Sequence, residues 1–446
     1  MSSRSLRKRA HVVGVSMGYG HARAAFGLAD LCRNEVIIAN DYPGIPKEDK
    51  HLWNRSRELY EKISRLQSLP WIGHAIFELM DRFQRIPAFY PRRDLSKSNL
   101  QIAEIYYLIK KHNLGKHLIE KLSEEPLPLI CTFFLPAYAA EVHGYPGDIY
   151  IVVCDADMFR TWAPLDPKSS RIEYFAPTGR VVERLKLYGV PANRIHLTGF
   201  PLPKQNIGGT KSEILKNDLL DRIGNLDPQH LFRQTYQETL VQQFGRGISK
   251  WGANRPPTVT FSIGGAGAHK RIAWQILHSL KTLLLQKRIC LNLEAGTHTD
   301  LARFFTGVAK NIGLKRALGK TLFIHGYATR EEYFESFTET LRTTDILWTK
   351  PSELSFYTGL GLPVVMAPPL GSQEEFNKDW LERIGSGIPQ QDPRYTHEWL
   401  MDWIHSGALA RLAWNGYIEA PTHGAHRIES IVTGKPTDLP ELPYII

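Results

Sequence analysis

Three short runs near the C-terminal end carry residue types suited to holding a phosphorylated sugar: Thr349-Lys350-Pro351-Ser352-Glu353-Leu354, Gly361-Leu362-Pro363-Val364-Val365-Met366 and Gly371-Ser372-Gln373-Glu374-Glu375-Phe376-Asn377. The order predicts a strand over 345–348, a polar turn opening a short helix, a second apolar strand over 363–367, and a polar loop. Helix N-termini present unpaired N–H groups and a positive dipole end, so the turn with Lys350, Ser352 and Glu353 suits a diphosphate. The amide and carboxylate of Gln373 and Glu374, with Asn377 in the same set, suit sugar or ribose hydroxyls. The chemistry expected here is that of a nucleotide-sugar donor site.

Two Gly-rich loops, far apart, each follow an apolar strand: Met17-Gly18-Tyr19-Gly20-His21 after 12–16, and Gly264-Gly265-Ala266-Gly267 before Ala268-His269-Lys270-Arg271 after 258–263. Each reads as strand, tight turn, helix, with glycines that let backbone approach a ligand. Neither fits a dinucleotide fingerprint. The first loop lacks a third glycine at the required offset, and only Asp41 stands near the end of a second strand. Two such units imply two similar α/β halves.

Taken in order, these pieces resemble the GT-B glycosyltransferases, specifically those similar to monogalactosyldiacylglycerol synthase and the N-acetylglucosaminyltransferase of peptidoglycan synthesis. The likeness rests on Gly18-Tyr19-Gly20-His21, Val153-Cys154-Asp155 with Thr161-Trp162, Thr198-Gly199-Phe200-Pro201-Leu202-Pro203, Gly264-Gly265-Ala266-Gly267, Gly326-Tyr327, Thr349-Lys350 and Gln373-Glu374. It implies an α/β GT-B fold, two doubly wound Rossmann-like domains facing a central cleft, with the donor on the second and the acceptor near Gly18, Tyr19, Gly20 and Trp162 of the first. It also implies inverting transfer from a nucleoside-diphosphate sugar, UDP favoured, to a lipid or membrane-associated hydroxyl. One departure stands out: where that family carries a glutamate five residues before the glycine of the Gly-Leu-Pro turn, this chain has Phe356, with Glu353 as a substitute.

Inverting transfer needs a base for the acceptor hydroxyl. His21, at the tip of the first loop, is the first candidate, because imidazole titrates near neutrality. Asp155, at the carboxyl end of a strand, is the second, either orienting His21 or acting as base itself. Asp155-Ala156-Asp157 also spells a D-x-D of the kind that holds a divalent metal. With two helix N-termini and His269, Lys270 and Arg271 to offset diphosphate charge, no metal or other cofactor is expected. Two rivals share the fold, a non-hydrolysing sugar-nucleotide 2-epimerase and a non-catalytic protein that has lost donor contacts; a soluble acceptor is a third variant.

The 446 residues suffice for two cores, and 43% hydrophobic with 22% charged residues is a globular composition. Cys32, Cys131, Cys154 and Cys290 are scattered without a C-x-x-C, which fits a reducing compartment and argues against zinc. No apolar run reaches the roughly 20 residues of a membrane span, and the basic start (Arg4, Arg7, Lys8, Arg9) lacks a signal-peptide core, so a cytoplasmic protein peripheral to the inner membrane face is expected. The net charge is +10. Residues 51–100 hold nine basic against five acidic residues, a net of +4, interleaved with Trp53, Tyr60, Trp71, Phe77, Phe83 and Phe89. Two amphipathic helices broken at Pro70 fit this spacing, and an anionic membrane surface is the expected partner, with packing on the first sheet as the alternative. No nucleic-acid module is present; oligomeric state is not encoded in any readable pattern.

Strands are expected at 12–16, 36–39, 129–134, 149–154, 172–176 and 195–198, then at 258–263, 289–294, 321–324, 345–348 and 363–367. The domain reading is 1–205 for the acceptor half, 206–257 for a linker and insertion, 258–425 for the donor half, and 426–446 as a segment crossing back to the first.

Overall fold

The computed structural model describes residues 10–53, 86–245, 255–264, 269–369 and 371–446. The chain divides into two compact units: one holds 1–201, 371–376 and 423–446, the other 202–370 and 377–422. Each is built on a six-stranded parallel sheet, which makes the fold the two-domain α/β, doubly wound GT-B type.

The first sheet contains β1 (His11–Gly14), β2 (Ile37–Ile38), β3 (Leu129–Cys131), β4 (Ile149–Val152), β5 (Glu173–Ala176) and β6 (Ile195–Leu197), in the order β2-β1-β3-β4-β5-β6. Both faces are covered, which is why the strands read as continuous apolar runs. Val13, Cys131 and Ile151 point into one core with Tyr138, Trp162 and Tyr174. Their neighbours Val12, Ile130 and Val152 point into another, which receives Ala425 and Ile428 from the helix Gly424–Thr433. That helix lies so close that a Cβ at Gly424 would stand 2.1 Å from the Phe200 carbonyl oxygen.

The second sheet contains β7 (Thr258–Ser262), β8 (Cys290–Glu294), β9 (Leu322–His325), β10 (Ile346–Thr349), β11 (Val364–Met366) and β12 (Gly387–Pro389), in the order β12-β11-β10-β7-β8-β9. This is the Rossmann order, with its reversal between β7 and β10. β12 was not anticipated from sequence. It is a three-residue edge strand holding a glycine and a proline, tolerated because an edge leaves one side without ladder partners.

Residues read as linker and insertion are part of the second unit. The helices Glu213–Leu226 and Leu231–Phe244 bury Leu219, Ile223, Phe232 and Leu240 in its core. Arg222, 2% exposed, donates to the carbonyls of Leu341, Thr344, Leu360 and Gly361, which lie at or just beyond two helix C-termini where carbonyls outnumber intrahelical donors. Among the described residues no helix is long and apolar enough to cross a membrane.

Candidate functional site

In an open parallel sheet, ligands bind beyond the carboxyl ends of strands at the point where strand order reverses. In the first unit that point lies between β1 and β3. The loop after β1 turns at Gly18, φ +81°, and Ser16 N–H donates to Asn40 Oδ1 at 2.8 Å, tying it to the chain beyond β2. The short helix Gly20–Phe26 follows, with His21 in its first turn.

His21 is clamped to the residue that follows β3. Its Nδ1 lies 2.7 Å from the Thr132 carbonyl oxygen, and Thr132 Oγ1 donates back to the His21 carbonyl at 2.8 Å. A carbonyl only accepts, so Nδ1 carries the proton and the basic lone pair of the neutral ring is on Nε2. The ring packs against Phe133 (4.9 Å) and Trp162 (5.9 Å). Trp162 is 2% exposed, which corrects its reading as a residue facing an acceptor: it backs the His21 ring from the core. Gly18 is exposed, and Tyr19 and Gly20 are partly so.

Asp155 follows β4 and is partly exposed. The thiol of its neighbour Cys154 donates to the same Thr132 carbonyl at 3.6 Å, so the chain before Asp155 and the His21 ring share one acceptor. Orientation at Nδ1 therefore comes from Thr132, a residue that sequence reasoning missed. A backbone carbonyl has no side-chain signature, so only pairing of β1 with β3 reveals it. The second aspartate of the D-x-D, Asp157, is 1% exposed and engaged by Arg180 (2.9 Å) and Arg184 (2.8 Å). Its carboxylate is held between these two guanidinium groups. Among the described residues no group of three or more His, Cys, Asp or Glu could hold a metal ion.

In the second unit, Gly264 follows β7 with φ +86°, a conformation that favours glycine. A Cβ there would lie 3.9 Å from Lys350 Cε and 4.0 Å from His269 Nδ1. His269, 3% exposed, stands at the start of the helix Lys270–Leu285 with Nε2 3.4 Å from the Pro368 carbonyl. The ends of β7, β10 and β11 thus converge on a lysine, a buried imidazole and an open backbone at the strand-order reversal. Gly265, Ala266 and Gly267 lie outside the described residues, as do most of the 51–100 segment and the basic start.

Other donor candidates fall differently. Ser352 is partly exposed beside Lys350, with its N–H on the Lys350 carbonyl at 2.8 Å. Glu353, 9% exposed, opens the 3-10 helix Glu353–Leu360, all of it buried. Phe356 packs against Trp380 at 5.1 Å, so an aromatic core contact fills the position where the resemblance expects a carboxylate. Asn377 is fully buried and donates to the Pro351 carbonyl at 3.3 Å. That corrects its reading as a ligand contact: it props the turn from behind. Gln373 and Glu374, partly exposed, open the helix Ser372–Arg383, but their stretch is grouped with the first unit, apart from Lys350 and Gly264.

A domain family described as a domain of unknown function (DUF6938) matches residues 242–388. The chain is 22% identical over 399 residues to the processive diacylglycerol beta-glucosyltransferase of Bacillus pumilus, covering 85% of this chain and 82% of that protein. Among solved structures, MurG of Acinetobacter baumannii aligns at 11% identity over 95% of this chain and 98% of its own, TM-score 0.45. The UDP-GlcNAc 2-epimerase of Neisseria meningitidis, bound to UDP-GlcNAc, aligns at 13% over 96% and 99%, TM-score 0.47. The chain is thus similar to GT-B glycosyltransferases.

Proposed function

We propose that this protein is an inverting glycosyltransferase that moves a sugar from a nucleoside-diphosphate sugar, UDP favoured, to the hydroxyl of a lipid or membrane-associated acceptor. The observation that carries the reading is the convergence of Gly264, His269 and Lys350 at the strand-order reversal of the second sheet, a place suited to a diphosphate. The curated relative's diacylglycerol acceptor gives the lipid part of the reading.

In the reaction, Nε2 of His21 takes the acceptor's proton as its oxygen forms the bond to the anomeric carbon. The bond from that carbon to the diphosphate oxygen breaks, and the nucleoside diphosphate leaves with the electron pair. Lys350 and the helix start at His269 offset the growing charge, so the reading needs no metal. Gln373 and Glu374 are the candidates for sugar hydroxyls. Glu374 and Glu375 in the first turn already place negative charge at that helix end, which disfavours a second phosphate there.

The test is twofold. UDP at 100 times its Kd should stabilise the fold by about 2.7 kcal/mol, seen as a rise in Tm absent with CDP or NAD. With UDP-glucose and diacylglycerol vesicles, mass spectrometry should show glycosylated lipid and free UDP. Epimerised sugar from donor alone would replace the proposal with the epimerase, and absence of any nucleotide binding would leave a non-catalytic protein.

A further inference from the structure

The chain's positive charge is concentrated in a place the composition alone conceals. Residues 269–321 hold ten Lys and Arg against two acidic residues, a net of +8 in a protein whose total is +10. All ten are exposed, and none forms an ion pair with a described residue. Of the two acids, Glu294 is buried, which leaves Asp300 as the one exposed carboxylate.

Topology gathers half of these cations onto one face: Lys270, Arg271, Lys281, Arg303 and Lys310 lie on two helices. β7, β8 and β9 are successive neighbours, so right-handed crossovers put both connecting helices, Lys270–Leu285 and Thr299–Asn311, on the same side of the sheet. The return from β9 to β10 reverses direction and places the helix Arg330–Thr343 on the opposite side. That helix carries Glu331, Glu332, Glu335 and Glu339 against Arg330 and Arg342. The crossover helices of the second sheet therefore differ in charge across it.

Large apolar groups stand among the cations. On the helix Lys270–Leu285, positions 270, 274, 278, 281 and 285 form one outward stripe: Lys270, Trp274, His278, Lys281 and Leu285. Trp274 is 45% exposed and Leu285 43%, and Phe304 on the neighbouring helix is 42% exposed with the Lys270 ammonium 3.7 Å over its ring. Aromatic and aliphatic anchors at both ends of a stripe about 22 Å long, between unpaired cations, match the headgroup boundary of an anionic leaflet. Phosphate alone would account for the cations but gives no use for Leu285.

We infer that the face formed by the helices Lys270–Leu285 and Thr299–Asn311 docks on an anionic lipid surface. This locates the membrane contact on the second unit and stands apart from the assignment of the donor subsite.

Co-sedimentation with vesicles of phosphatidylcholine alone and of phosphatidylcholine with about 30% phosphatidylglycerol, a strongly anionic leaflet, tests it. The full chain should bind the anionic vesicles, and salt should release it as the screening length shrinks below about 8 Å. Each surface cation contributes roughly fivefold to partitioning, so Lys281→Ala, Arg303→Ala and Lys310→Ala together should weaken binding about a hundredfold with Tm and UDP affinity unchanged. Trp274→Ser should weaken it further without altering its salt dependence. Arg55→Ala, Arg57→Ala and Arg65→Ala together are the comparison: a greater loss in that variant than in the first would overturn the proposal. Equal binding to both vesicle types, or tight binding to duplex DNA or RNA with none to vesicles, would overturn it as well.

Discussion

Replacing His21 by asparagine separates its two nitrogens. The carboxamide nitrogen of asparagine occupies roughly the place of Nδ1, so His21→Asn can keep the donor that meets the Thr132 carbonyl at 2.7 Å while deleting Nε2. What is lost structurally is ring packing on Phe133 and Trp162, worth about 0.5–1.5 kcal/mol per aromatic pair. At about 2–4 °C per kcal/mol for a unit of this size, Tm should fall by roughly 2–12 °C. Turnover should fall by about 10²–10⁴, which is roughly 3–5.5 kcal/mol of barrier and exceeds the structural loss. His21→Ala should cost about 1–3 kcal/mol more in stability by leaving the buried Thr132 carbonyl under-satisfied, with the same loss of turnover. The assay is sugar transfer from UDP-glucose to lipid vesicles, with Tm and UDP affinity measured on the same preparations. Near-normal turnover in His21→Asn alongside a lowered Tm would refute the base assignment. Loss of activity in Asp155→Asn at the same time would move the role to Asp155.

Lys350→Ala should weaken UDP binding by about ten- to a hundredfold in calorimetry with little change in Tm, since the lysine is partly exposed; an unchanged Kd would remove it from the diphosphate subsite. Gly424→Ala puts a Cβ 2.1 Å from the Phe200 carbonyl and should destabilise the first unit by about 1–3 kcal/mol, read as a lower unfolding midpoint, while UDP affinity, a property of the second unit, holds. His11 is held below its ordinary pKa by burial and by Arg33, so the native state binds fewer protons than the unfolded chain just below pH 6.5. Its contribution is complete above that pH and is lost as pH falls toward the native value; His11→Gln, which can still donate to the Glu125 carbonyl, should flatten the decline of Tm between about pH 6.5 and 5.

Periodicity and turn chemistry made both parallel sheets legible, because strands buried on two faces must be apolar throughout and the loops between them must carry glycine, proline and polar caps. They also singled out His21, Gly264 and Lys350 as candidates, since a loop that leaves a strand end is short and local. Strand ends were less legible. The expected strand over 129–134 stops at Cys131: the Thr132 N–H still reaches the Val13 carbonyl, but its own carbonyl and hydroxyl turn to clamp His21, and Phe134 begins a helix. Asn377 and Trp162 carry ligand-binding residue types, yet burial behind the turn and the ring they support gives them other work. That distinction depends on which side of a packed layer a residue occupies. The same holds for charge: composition supplied the excess of cations, while the handedness of two crossovers put five of them on one face and four glutamates on the other. Local sequence determined which segments could form strands, helices and ligand turns; strand order, set by long-range burial that no window of residues contains, decided which of those segments meet.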